Sequence, residues 1–380
     1  MNRFFELLQV AIGNRSMLSE TPADEEWESL METAAAQSVV GIAFAGVEKL
    51  PRSQWPPKLI LRQWLGQSHV IEQRNALTTD VCMDLCRQFK EDGFRICVLK
   101  GQANHAYYPA ELVNRRSCGD IDLWVVPNDV IGNRDGVHKV IEYVKAKYGL
   151  KGLCHLHVNS AKVRGIPVEV HFRPSFMNDP LRNKRFQKFF ADIDSCVCCK
   201  EIEGGTVPAM RVGFDAVFQM NHIYRHLIDE GVGLRQVLDY YFLCNSFYSS
   251  VNADGNWADA THEIMIEVGR LGMKRFAGAL MYVLREVFGM SEERMLCPVC
   301  EKDGRFLLSE IMTAGNFGHS DPRMAPLEAQ DSRLHLQLSR AWRRFKRNLR
   351  FLTSYPGEVI WEPFARMWHY AWKSFKLWKI

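Results

Sequence analysis

The chain of 380 residues lacks a long apolar run. The longest, near residues 34–47, is broken by Gln37 and Ser38 and is too short to span a bilayer. A signal-peptide layout is also missing. MNRFFELLQVAIGNRS has no extended apolar stretch behind a basic start and no small-residue cleavage site. A strong charge of one sign is absent: the formal net charge is +4, which excludes the chain as a whole from the basic nucleic-acid binders. Paired cysteine motifs are scarce. Of eleven cysteines, Cys297 and Cys300 form one Cys-x-x-Cys, and Cys196, Cys198 and Cys199 form an irregular cluster. A structural zinc site wants four ligands in paired spacing, so these thiols are expected to be unligated. An odd cysteine count without a secretion signal implies reduced thiols and a cytoplasmic location. There is no HExxH motif; His222 and His226 have i,i+4 spacing but no partner acid follows. Repeats and low-complexity segments are missing too.

What is present is a core-forming composition. Hydrophobic residues make up 47% and charged residues 24%, which places the chain among globular proteins of two or three domains. Charge is distributed unevenly. Residues 331–380 hold eleven Lys or Arg against three Asp or Glu, about +8, and leave the rest slightly acidic.

Residues 1–92 read as a helical region. Thr21 and Pro22 suit a cap and first helical position before an acidic first turn. Leu61, Leu65, Val70, Leu77, Val81 and Leu85 recur at helical spacing over 57–92, with Gly93 as the stop. Over 93–205 the period changes. RICVLKG and IDLWVV read as strands, 128–147 as a helix, and KGLCHLHVNSAKVRGIPVEVHF as two strands joined by a turn at 162–165. This is the α/β module and the expected catalytic core. From Pro208 helical spacing returns, and 206–330 reads as a C-terminal helical domain with a break at Gly231 and Gly233. A basic, Trp-rich helical tail, 331–380, follows.

The chemistry concentrates in GDIDLWVV. Residues i and i+2 of a strand share a face, so Asp120 and Asp122 project together while Ile121 and Leu123 enter a core. VEVHF repeats the device: Glu169 and His171 share one face, and Val168, Val170 and Phe172 the other. If these strands are neighbours, three carboxylates converge, and three at close range cannot all stay ionised without a cation. Hard oxygen donors suit Mg²⁺ or Mn²⁺, whose usual use is to bind substrate phosphates. Each element alone also suits an ordinary surface strand; the joint pattern points to a site. Relief of carboxylate crowding implies that removing either aspartate leaves the fold intact.

VLKGQANHAYYP adds a strand, a Lys-Gly turn and a short helix. Glycine lets backbone approach a ligand, a helix start offers N–H groups to an anion, and Lys100 adds charge. Arg115 and Arg116, four to five residues before the aspartates, are placed to reach phosphates, or to sit in a solvated loop.

The order LKG, a tyrosine-proline segment, Arg, GDIDLWV and VEVHF resembles the nucleotidyltransferase superfamily with the DNA polymerase β-type catalytic fold. It is most similar to a group of uncharacterised stand-alone bacterial nucleotidyltransferases, over most of residues 30–245. The resemblance implies an α+β fold: a polymerase β-like core with a mixed sheet, flanked by N-terminal and C-terminal helical regions. It implies that Asp120, Asp122 and Glu169 are catalytic metal ligands for Mg²⁺ (or Mn²⁺). It also implies that the turn at Gly101 holds the phosphates of an NTP. Here the turn reads Gly101-Gln102, where the superfamily usually has Gly-Gly or Gly-Ser. Lys100, Arg116 and His171 match the particular group and are implied to bind the nucleotide. The implied activity is transfer of an NMP to an acceptor hydroxyl with release of pyrophosphate, the acceptor being a small molecule, a protein or a nucleic acid. Two other classes are a glycosyltransferase using its Asp-x-Asp pair, and a non-catalytic scaffold of the same fold.

Other histidines remain open. His155 and His157 alternate on one strand face and read as ordinary strand residues near the site. His222 and His226 suit either a substrate lining or a core role. In the tail, Phe364, Trp368, Trp372 and Phe375 lie at helical spacing with lysines between. The expectation is a helix that packs these aromatics on the domain; contact with an anionic surface is the other use of the pattern.

Overall fold

The computed structural model describes residues 2–129, 133–252, 255–323 and 333–377. Helices α1 (Arg3–Ala11), α2 (Asp24–Ala36) and α3 (Val40–Lys49) precede α4 (Lys58–Glu91), which has 34 residues. Strand β1 (Phe94–Val98) leads through a 3₁₀ segment, Gly101–Tyr107, to α5 (Ala110–Val113). Next come β2 (Ile121–Pro127), α6 (Asn133–Tyr148), β3 (Leu150–Leu153), β4 (His157–Ser160) and β5 (Val168–His171). Helices α7 (Pro180–Phe189) and α8 (Ile193–Cys196) lead to the hairpin of β6 (Val197–Ile202) and β7 (Gly205–Met210). The rest is helical: α9 (Val212–Asp229), α10 (Leu234–Asn252), α11 (Trp257–Arg270), α12 (Lys274–Phe288), α13 (Glu301–Ala314), α14 (Arg333–Phe351) and α15 (Pro356–Leu377).

The fold is α+β with one mixed sheet of seven strands in the order β3-β4-β5-β2-β1-β7-β6. β2 and β5 are parallel neighbours, as are β1 and β7; the other pairs are antiparallel. Alternation along the strands divides the sheet between two cores. Ile121, Leu123, Val125, Val168, Val170 and Phe172 join Val81, Leu85 and Phe89 of α4 on one side. Cys97, Leu99 and Trp124 face the other way, into the larger core that unites α1–α3 with α9–α13. Asp122 and Glu169 have the parity of Trp124, and therefore face the C-terminal helices.

Several local expectations need correction. The helix expected at Thr21 begins at Asp24, with Ala23 in extended conformation before it. Leu65 and Val70 are 51% and 63% exposed. The buried stripe of α4 instead runs through Ile60, Trp64, Ser68, Asn75 and Thr78, because this helix holds a polar loop as well as a core. The segment read as two strands contains three, since 150–153 pairs with β4. Helix does not return at Pro208: residues 208–210 complete strand β7, recruited by pairing with β6 and β1.

Candidate active site

The site forms where β1 and β2 meet the helices behind the sheet. Asp122 lies opposite Glu169 in the parallel register of β2 and β5, and Trp124 lies opposite His171. Equal levels on neighbouring parallel strands put side chains on the same face, so the two carboxylates meet. Asp120 stands one residue before β2. Oxygens of Asp120, Asp122 and Glu169 lie within 4.8 Å of one another, and a second group, His157, Glu169 and His171, meets the same measure. Among the described residues these are the two clusters able to hold a metal, and neither includes a cysteine. The cysteines described are all free.

The carboxylates differ in surroundings. Asp122 is 2% exposed; its Oδ2 is 3.1 Å from Lys100 Nζ and its Oδ1 3.0 Å from His171 Nε2. Burial pushes its carboxyl up, but the Lys100 charge and the His171 hydrogen bond outweigh burial and hold it below the usual value. His171 is buried too, which alone would lower it. Its bonds to Asp122 and to Glu169, 3.5 Å away, raise it instead. Glu169 is held low in the same way, with burial opposed first by His171 and then by His157, whose Nδ1 is 3.4 Å away. Asp120 is half-buried and makes no hydrogen bond or ion pair among the described residues. One carboxylate is thus held by Lys100 and His171, one is braced by the imidazoles of His171 and His157, and one faces the cavity unpaired among the described residues. Oxygen donors of this kind fit a hard divalent cation.

Backbone geometry at the turn is specific. Leu99 N–H donates to the Asp122 carbonyl at 3.0 Å, tying the end of β1 to β2. Lys100 is extended and Gly101 follows at φ +60°, a left-handed conformation that glycine adopts without strain. The helix expected here is a 3₁₀ segment. Gly101 lines a small cleft, whereas the Gln102 side chain is buried and turned away from it.

The loop before Asp120 is clamped by α4. Asn75 Nδ2 donates to the Asn114 carbonyl at 2.9 Å and to the Arg116 carbonyl at 2.5 Å. Arg115 donates to Ser68 Oγ at 3.0 Å and pairs with Glu72 and Glu48 at 2.6 and 3.0 Å, away from the carboxylates. Arg116 is buried, and both arms of its fork go to Asp239 of α10, Nε at 2.6 Å and Nη2 at 2.7 Å. Tyr108 OH donates to the same carboxylate at 2.8 Å. Arg116 therefore lines the cleft while its charge is already matched.

A different arginine has the free charge. Arg235 is half-buried beside Asp120 in the same cleft. It donates from Nη1 to the Ser117 carbonyl at 3.2 Å, and among the described residues its Nε has no hydrogen-bond partner and no carboxylate pairs with it. Burial first, then the Arg116 charge, hold it below its usual value.

The cleft opens past Lys100, Asp120 and Asp122 into a cavity of about 480 Å³. Its far wall carries His222, Arg225 and His226 of α9, with Phe218 and Phe317. His222 and His226 thus line the cavity, their rings 4.3 Å apart, and burial lowers both imidazoles. Arg225 lies 5.0 Å from the Phe176 ring, with its Nε unpaired. His155 and His157 separate. His157 sits at the site; His155 turns to His369 of α15, 2.8 Å between Nδ1 atoms. Sequence reasoning missed Arg225, Arg235, Asp239 and Asn75. The Arg235–Asp239 spacing of i,i+4 was visible, but nothing in it says that Asp239 serves Arg116 and not its helical neighbour.

Comparison with known proteins adds the decisive observation. A family model described as "Uncharacterised nucleotidyltransferase" matches residues 23–289. The chain belongs to this family. The match spans the helical region, the sheet with its carboxylates, and the helices that wall the cavity. No curated protein matches. A crystal structure of an antigenic nucleotidyltransferase-like protein from Paracoccidioides brasiliensis is similar at 11% identity and a TM-score of 0.34. The overlap covers 60% of this chain and 96% of that one, and a likeness so slight adds nothing to the reading of the site. Among the described residues no helix is long and apolar enough to cross a membrane.

Proposed function

We propose that this nucleotidyltransferase-family chain moves an NMP from an NTP to an acceptor hydroxyl and releases pyrophosphate. The reading rests chiefly on one arrangement: Asp120, Asp122 and Glu169 converge beside the Gly101 turn at the join of a cleft and a cavity. Asp120, Asp122 and Glu169 would hold Mg²⁺ or Mn²⁺, which when bound screens phosphate charge and polarises the phosphorus under attack.

The chain's own groups perform the remaining work. Asp122, fixed by Lys100 and His171, sets the position of the carboxylate cluster. Lys100 and Arg235 oppose the charge that develops on the leaving pyrophosphate, and the backbone at Gly101 lets a phosphate approach closely. Arg116 positions the loop and α10 through Asp239, and so holds Asp120 and Arg235 in one cleft. Glu169, braced by His157 and His171, takes the proton of the attacking hydroxyl as the new P–O bond forms and the bond to pyrophosphate breaks. His222, Arg225 and His226 line the side where the acceptor enters. A glycosyltransferase would have no use for Glu169 opposite Asp122. A scaffold would have no use for three crowded carboxylates.

The test is to incubate the full chain with each α-³²P-labelled NTP, Mg²⁺ or Mn²⁺, and a cell extract as the acceptor source. Labelled product with equimolar pyrophosphate, lost in Asp120→Asn, supports the reading. Label transfer that persists in Asp120→Asn, or release of inorganic phosphate instead of pyrophosphate, contradicts it.

A further inference from the structure

Of the tail aromatics expected to pack on the domain, Trp372 is partly buried against the sheet-side core, Phe364 and Trp368 are 57% and 52% exposed, and the Phe375 side chain lies outside the described residues. In α14, Trp342, Phe345 and Leu349 lie on one face and are 56%, 51% and 52% exposed. In α15, Ile360, Phe364 and Met367 repeat the pattern at 54%, 57% and 69%, flanked by Trp361 at 40% and Trp368 at 52%. Spacings of three, four and seven residues make each set a continuous stripe. The opposite faces are anchored. Phe351, Tyr355 and Val359 enter the larger core, and Arg347 caps α9 by donating to the carbonyls of Ile228, Asp229 and Glu230. Asn348 joins α14 to Glu362 of α15 at 3.0 Å. The apolar stripes are therefore presented on helices anchored along their other faces, and an exposed apolar surface of this kind marks a site of contact.

The charges around the stripes indicate what is contacted. Arg343, Arg344 and Lys346 accompany the α14 stripe, Lys373 follows that of α15, and none pairs with a carboxylate among the described residues. Lys346 Nζ lies 5.4 Å from the Trp342 ring centroid. By contrast Arg350 and Arg366 are spent on Glu310 and Glu362. A second copy of the same surface would set these unpaired cations against each other. Nucleic acid would match the cations but would leave Leu349, Ile360 and Met367 without an apolar partner. A bilayer interface with anionic headgroups answers both features, with acyl boundary for the stripes and headgroup charge for the bases.

We infer that the α14–α15 hairpin is an interfacial docking surface for an anionic lipid bilayer. The chain lies on the membrane through this face and does not cross it. The surface adjoins the cavity: Trp368 contacts His155, His155 contacts Phe176, and Arg225 of the cavity wall covers the Phe176 ring. Docking would thus hold the cavity rim close to the headgroups.

Vesicle flotation of the full chain tests this without reference to catalysis. The probes are phosphatidylcholine vesicles with and without phosphatidylglycerol, at about 0.1 M and about 0.5 M salt. The chain should float with the anionic vesicles at low salt, and weakly with neutral ones. The triple variant Leu349→Gln, Phe364→Gln, Met367→Gln should lose about tenfold in binding with circular dichroism and melting temperature unchanged. Arg343→Gln with Arg344→Gln and Lys346→Gln should weaken binding and flatten its salt dependence. The inference is overturned if the chain stays unbound at low salt, or if the triple variant floats as well as the wild type. It is equally overturned if the triple variant abolishes only self-association in sedimentation velocity, or only the shift of a single-stranded RNA probe.

Discussion

Asp122 and Glu169 occupy the same level of neighbouring parallel strands, and this pairing turns two polar strand positions into one acidic cluster. Ile121, Leu123, Val168 and Val170 bury the reverse side of the same strands. The hydrophobic core therefore aims the carboxylates. A shift of one residue in the β2–β5 register would bury the acids and expose the valines, so the site and the core specify each other.

The two aspartates should respond differently to removal. Asp122→Ala leaves the Lys100 ammonium and the His171 imidazole without their shared partner in a nearly dry position. Its loss should cost about 3–5 kcal/mol in urea unfolding. Asp120, half-buried and unpaired, should be removable with a change within about 0.5 kcal/mol. The sequence pattern suggested equal tolerance; the ion pairs around Asp122 make the difference. Equal stabilities for the two variants would show that Lys100 and His171 do not depend on Asp122.

Arg235 and Arg116 should likewise part. Arg235→Gln removes a cation with no carboxylate partner, so the melting temperature should hold or rise while NTP affinity falls about tenfold or more. Arg116→Lys cannot reproduce the fork on Asp239, and should lower stability by about 2 kcal/mol or more before any effect on the nucleotide is felt. Calorimetric NTP titration beside thermal melts checks both. A reversal of the two patterns would assign the phosphate to Arg116.

Glu358 supplies a pH dependence remote from the site. It is buried, and desolvation above all pushes its carboxyl up to about 7, against the hydrogen bond it accepts from the Asn178 N–H at 2.6 Å. An acid raised on folding binds its proton more tightly in the folded chain. Its contribution is present below the ordinary value of 4.5 and is lost as pH rises through about 7. Wild-type stability should thus fall between about pH 5 and pH 8 by up to about 3 kcal/mol more than that of Glu358→Gln. Parallel stability curves for the two proteins would remove Glu358 from the account.

Much of this was legible in the sequence because it depends on short-range parity. The i,i+2 spacing of Asp120 with Asp122 and of Glu169 with His171 fixes which face each occupies, and α4 ends close to where Gly93 stops it. What was not legible depends on pairing at long range. Arg116 sits beside the aspartates in the chain, yet its charge goes to Asp239, more than a hundred residues on. The cleft arginine left without a carboxylate among the described residues is instead Arg235, delivered by α10. Asn75 reads as a polar break in an amphipathic helix, and its use is clear only once the loop 114–116 lies against it. The tail aromatics have a period that burial and membrane contact share, so only their exposure separates the two.

The most direct measurement is binding of Mn²⁺ with an NTP to the wild type, Asp120→Asn and Glu169→Gln, followed by calorimetry or Mn²⁺ electron paramagnetic resonance. It needs no acceptor. The carboxylate cluster predicts that the wild type binds the metal and nucleotide together, that EDTA abolishes tight nucleotide binding, and that each substitution weakens it by about tenfold to a hundredfold with the fold retained. NTP binding of equal strength in EDTA, or unchanged in both variants, would contradict the claim that these three carboxylates hold the metal that holds the nucleotide.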